Sequence, residues 1–187
     1  MNFLFNPYRK VAGSKALMIG FAIALFTLAV APFSHAAFDG VLDLHTKIFE
    51  NVWAYSLLYF ISWIMIVAGF GIAAVLFSKS QYRWIDILGT TLLAKAPLLF
   101  LAIVNFLSQD IPIKDLSDVA VFFTLRNVIV IIIDTLCAIW MVALLYNAYS
   151  VSLHIKGNKL IWSFILILIL AEISSKIIIY YLIPFLK

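Results

Sequence analysis

The chain has 187 residues, 65% of them hydrophobic and 12% charged, against about 45–50% and about 25% in a soluble domain. A fold of this size cannot hide that much apolar surface from water. Soluble globular, disordered and collagen-like classes are therefore excluded, and an integral membrane protein remains.

The net charge of +4 then speaks of topology, and no nucleic-acid partner is expected. A single cysteine, Cys137, rules out an intrachain disulfide and a cysteine-rich metal site.

A span takes about 20 apolar residues to cross about 30 Å of hydrocarbon. The first candidate, 16–33, follows Arg9, Lys10 and Lys15. It also has the layout of a secretory signal, ending in the small-x-small run Ser34-His35-Ala36. Its 18 apolar residues exceed the usual 7–15 of a signal peptide, which favours a retained span over a cleaved one.

The next spans are 53–77, uncharged throughout, and 85–107, interrupted by Lys95. They are followed by 127–149 with Asp134, and 160–183 with Glu172 and Lys176. The apolar stretch ahead of the fourth span is too long for one upright helix, about 48 Å from Val119 to Ser150. This predicts an outer interfacial helix over 116–125, with Arg126 snorkelling to headgroups where the span begins. The fold class expected is all-α, a five-helix membrane bundle forming a single membrane domain.

Basic residues orient it. Arg9, Lys10, Lys15, Lys79, Arg83, Lys156 and Lys159 fall on one side, and Lys47, Lys114 and Lys187 on the other. The second side also holds Asp39, Asp43, Glu50, Asp110, Asp115 and Asp118. The positive-inside rule puts the N-terminus in the cytoplasm and the C-terminus outside. Aromatic residues at span ends agree: Trp53, Tyr55 and Tyr59 outside, Tyr82, Trp84, Tyr146, Tyr149 and Trp162 inside, and Tyr180 and Tyr181 outside again. Trp63 and Trp140 fall deeper and are expected to pack between helices.

Chemistry, if any, resides with the ionisable residues inside the spans, each costing roughly 2.5–3.5 kcal/mol near a helix centre. Lys95 and Glu172 lie at similar depth. So do Asp134, about 12 Å below the outer face, and Lys176. Two opposite-charge pairs are expected. They would either fix helix rotation and register or line an ion or proton path. Pro97 removes one backbone bond beside Lys95 and predicts a kink.

In the first outer loop, His35, Asp39 and Asp43 would share one face if the segment were helical. That is a weak divalent-metal pattern, and an ordinary solvated acidic loop is the preferred reading. Small residues recur at Ala16, Gly20 and Ala24, and at Gly69 and Ala73, a spacing that lets helices approach closely. No G-x-S-x-G, H-E-x-x-H, Walker A or G-x-G-x-x-G motif occurs. Neither enzymatic activity nor a cofactor is expected.

Asn6-Pro7-Tyr8-Arg9 before the first span, and Ile85-Asp86-Ile87-Leu88-Gly89-Thr90 with Ala94-Lys95-Ala96-Pro97 in the third, resemble the Yip-domain family of five-span membrane proteins. The likeness of plan runs from about residue 6 to 183. Eukaryotic members of the family are implied to bind Rab GTPases and act in vesicle traffic through a long cytoplasmic region before the first span. Only about 15 residues precede the first span here, and the family's Asp-Leu-Tyr-Gly-Pro box is missing. The resemblance is therefore to the short prokaryotic type.

The resemblance does not define an activity for that type, and the reading preferred from the residues is a non-enzymatic scaffold or interaction protein of a cell membrane, most simply a bacterial inner membrane. The partners expected are the lipid bilayer and other membrane proteins, including further copies of the chain. The alternative is a small transporter or ion-conducting protein using Lys95, Asp134, Glu172 and Lys176.

Overall fold

The structure, a computed structural model, describes residues 4–78, 81–107 and 124–186. Most of the interfacial helix expected over 116–125 lies outside them. So do Lys79, Lys114, Lys187, Asp110, Asp115 and Asp118 of the charge argument.

Among the described residues five helical spans are long and apolar enough to cross a bilayer. The protein is a multi-pass membrane protein. The spans are α1 (Gly13–Ser34), α2 (Trp53–Phe77), a broken third span, α5 (Leu125–Leu153) and α6 (Asn158–Leu182). The third span consists of α3 (Trp84–Ala94), α4 (Pro97–Val104) and a short 3-10 turn, Asn105–Leu107.

The third span is the best-buried of the five, with α1 and α5 packed on it and α2 beside it; α6 leans on α2. Small residues set the closest crossing. The buried stripe Ala16, Gly20, Ala24 of α1 meets α3 so tightly that a Cβ on Gly20 would fall 2.7 Å from the Leu93 backbone nitrogen. A Cβ on Gly89 would fall 2.5 Å from the Gly13 carbonyl oxygen. Backbones approach this closely only where Cβ atoms are absent. Gly69 and Ala73 serve the second stripe, Gly69 facing Ile167 and Ala171 of α6.

Pro97 does more than kink the third span. It heads α4 at the first helical turn, where its missing N–H costs nothing. The chain before it tightens into i→i+3 bonds, Lys95 N to Leu92 O and Ala96 N to Leu93 O, both 3.1 Å. The helix therefore ends and restarts in mid-span, with Lys95 at the joint.

The loop between α1 and α2 differs most from expectation. It is not helical. Ala36–Ala37 (β1) pairs antiparallel with His45–Thr46 (β2), in register Ala36 with Thr46 and Ala37 with His45. The hairpin is folded into the bundle end, with Ala36, Ala37, Phe38 and Val41 all buried.

Tyr55 and Tyr59, expected at the headgroup level, are buried as well. The Tyr55 hydroxyl donates to Lys47 O at 2.9 Å, and the Tyr59 ring meets Phe38 edge-on with centroids 5.3 Å apart. These rings seat the loop. Tyr149 is likewise buried, its hydroxyl donating to Ser163 Oγ at 2.9 Å. Trp53, Trp84, Trp162, Tyr180 and Tyr181 stay exposed at the span ends, as the preference of amphipathic rings requires.

Candidate functional site

The intramembrane charges do not pair as depth alone suggests. Lys95, 1% exposed, donates from Nζ to Ser62 Oγ at 2.8 Å and sits 5.3 Å from the centroid of the Tyr59 ring. Ser62 passes its own proton back to Tyr59 O of the preceding turn at 2.8 Å. Glu172 acts on Lys95 through its field but makes no direct ion pair with it among the described residues. A lone hydroxyl and the face of an aromatic ring thus hold the ammonium at the helix joint.

Glu172 is used otherwise. Its Oε2 accepts the backbone N–H groups of Val41 at 2.8 Å and Leu42 at 3.0 Å. Successive amides converging on one carboxylate make a small anion nest, and charge-assisted bonds of this kind are about twice as strong as neutral ones. Gly40 leaves room for the carboxylate, since a Cβ there would fall 2.5 Å from Glu172 Oε1.

One turn along α6, Lys176 forms an ion pair with Asp43 and lies 3.5 Å from Glu172 Oε1. The expected Asp134–Lys176 pair is therefore not formed. Asp134 is half-buried on α5 and has no ion pair or hydrogen bond among the described residues.

The tip of the hairpin is tied across itself. Asp39 Oδ1 and His45 Nδ1 lie 2.8 Å apart, and the Asp39 bond pushes the His45 imidazole above its ordinary value. Burial lowers it and the charge of Asp43 adds to the rise. His35 caps α1 in the left-handed region, φ 56°, with its Nδ1 buried and without a hydrogen-bond partner among the described residues. His35, Asp39 and Asp43 thus go to three different settings, because the segment that would have aligned them is a hairpin. Among the described residues no three His, Cys, Asp or Glu side chains come within reach of one metal ion.

At the other end of the loop, Thr46 Oγ1 donates to Asn105 Oδ1 at 3.0 Å, and Asn105 Nδ2 donates to Ser34 O at 2.6 Å. Arg126 is exposed at the start of α5 and donates to Leu107 O.

Two features escaped the sequence reading. The first is the role of Ser62 and Asn105 as buried acceptors, for which isolated polar residues in apolar runs were the available signal. The second is the segment ahead of α1. Leu4 O accepts Trp140 Nε1 at 2.9 Å, and Phe5 O accepts Asn147 Nδ2 at 2.9 Å. Asn6 Nδ2 donates to Asn147 Oδ1 at 3.1 Å. Trp140 is about 20 Å and Asn147 about 9 Å from the end of α5 at Leu153, so the chain from residue 6 back to residue 4 runs inward along that helix. Backbone is tolerated there only when its polar groups find protein partners, and Trp140 and Asn147 supply them.

The motifs that carry the family resemblance do structural work. Asp86 pairs with Arg83 at 2.8 Å, Gly89 admits α1, and Thr90 Oγ1 meets Ser152 Oγ at 2.8 Å. Compared with family models, curated proteins and solved structures, the chain matches none.

Proposed function

We propose that the chain is a non-enzymatic membrane interaction protein of Yip-like plan, with a cytoplasmic N-terminus, residing in a cell membrane. The observation behind this reading is the use made of Glu172 and Lys176: both fasten the external loop, one through Val41 and Leu42, the other through Asp43. Charges committed to holding a loop shut serve shape, and a shaped, closed outer face is what a scaffold presents to its partners.

A transport reading draws on one different observation. Lys95 is a buried cation at a mid-span helix break, and discontinuous helices are a common setting for transported ions.

Proton and cation flux in proteoliposomes separates the two. Under the scaffold reading the folded wild type gives no flux, and Glu172→Gln only loosens the loop, so that 38–44 becomes accessible to protease. Flux that is abolished by Glu172→Gln in a protein that still folds would replace the scaffold with the transporter.

A further inference from the structure

We propose that the groove between α1, α5 and the helix break is a binding site for an anionic phospholipid. One acyl chain lies in the groove and the headgroup rests against Arg9, Lys10 and Lys15. The groove has a volume of about 250 Å³. Ile19 and Ile23 of α1 form one wall and Trp140 of α5 the other, Ala96 lies beside the break, and Pro7 and Val11 cross the near end. Ile19 is 45% and Leu4 59% exposed, so the groove opens sideways toward lipid. The one strong donor in its walls, Trp140 Nε1, is already given to Leu4 O. What the groove offers is hydrocarbon contact.

Charge at one end selects the headgroup. Lys15, Ile19 and Ile23 recur at i, i+4 and i+8, so they share a face of α1, and Lys15 ends that stripe about 12 Å from Ile23. Arg9 and Lys10 stand between the groove residues Pro7 and Val11, and all three cations are exposed. None of the three forms an ion pair among the described residues. Basic residues at a membrane surface each favour anionic lipid by about fivefold. The proposal needs only the chain's residence in a bilayer, and it stands whether or not the loop-fastening reading holds.

Native mass spectrometry of the purified full chain tests it, with dioleoyl phosphatidylglycerol and dioleoyl phosphatidylcholine as probes. The wild type should retain phosphatidylglycerol at least about fivefold better. The triple variant Arg9→Gln, Lys10→Gln, Lys15→Gln should lose that preference. Ile19→Trp, which fills the groove from an exposed position, should lose both lipids.

Equal retention by the wild type, or a preference that survives the triple variant, overturns the site. A dimer that Ile19→Trp abolishes would also overturn it, because a second copy would then fill the groove. Should Ile19→Trp fail to fold, the triple variant decides alone, since all its changes are at exposed positions.

Discussion

Lys95 donates to Ser62 at 2.8 Å, a neutral hydroxyl standing where an opposite charge was expected. Removing one partner of a buried charged bond costs far more than replacing both, because the remaining charge is left unsolvated. Ser62→Ala should therefore destabilise by about 1–3 kcal/mol, while Lys95→Met should be neutral or stabilising. The double variant should be more stable than Ser62→Ala alone. Reversible unfolding in mixed micelles, read as a double-mutant cycle, checks it. Additive losses would mean that the two side chains are independent.

Two helix-crossing glycines should respond unequally to the same added methyl. At Gly89 the new Cβ meets backbone, the Gly13 oxygen at 2.5 Å and the Leu17 nitrogen at 2.8 Å, and α1 has to move as a unit. At Gly69 it meets one side-chain methyl, Ile167 Cγ2, at 2.9 Å, with the nearest backbone atom 3.8 Å away, so a small shift of one side chain relieves it. Gly89→Ala should cost about 3 kcal/mol, the upper end of overpacking, and Gly69→Ala about 1 kcal/mol or less. Melting temperatures of the two variants in one detergent would show the ranking.

The spans were legible because hydrocarbon thickness and backbone satisfaction leave a membrane helix few alternatives. Each observed span, with the broken third one taken as a whole, begins and ends within about a turn of its expected limits. The small-residue stripes were legible for a related reason: Gly20 and Gly69 mark where two helices approach closely, at Gly20 backbone to backbone.

The pairing of charges was not legible, since depth along a helix says nothing of which way the helix is turned. Glu172 and Lys176 face the loop, and Lys95 faces α2. Asp39, Asp43 and Glu50 give the loop the composition of a solvated one. Its apolar residues Phe38 and Val41 and the aromatic pair Tyr55 and Tyr59 were the overlooked sign that it folds inward. Partners such as the Val41 and Leu42 amides leave no trace in a side-chain pattern at all.

The hairpin tip should respond to pH. Asp39 raises His45 above its ordinary 6.5, so the folded state binds the proton more tightly than the unfolded chain does. The stabilisation is fully present below about pH 6.5 and is lost as pH rises through the higher folded value. The effect is small, because the imidazole is 64% exposed and solvent screens it. Once intrinsic rates are divided out, loop amides should be less protected at pH 8 than at pH 6, and His45→Gln should remove that residual difference. A tip whose exchange, corrected for intrinsic rates, is flat across that range would show that the contact contributes nothing.

Tyr8 makes the opposite case, a polar group whose removal should help. The side chain is 1% exposed and its hydroxyl has no hydrogen-bond partner among the described residues. Burial pushes its ionisation upward, so the phenol stays neutral. A buried hydroxyl without a partner has given up its water and received nothing in return, at a cost of about 1–3 kcal/mol. Tyr8→Phe keeps the ring and deletes only that oxygen, so it should raise stability by about 1 kcal/mol. Tyr8→Ala empties the ring's site and should lower it by about 3 kcal/mol, near the low end for large aromatic deletions. If Tyr8→Phe instead destabilises, the hydroxyl is hydrogen-bonded inside the protein and its burial is not a cost.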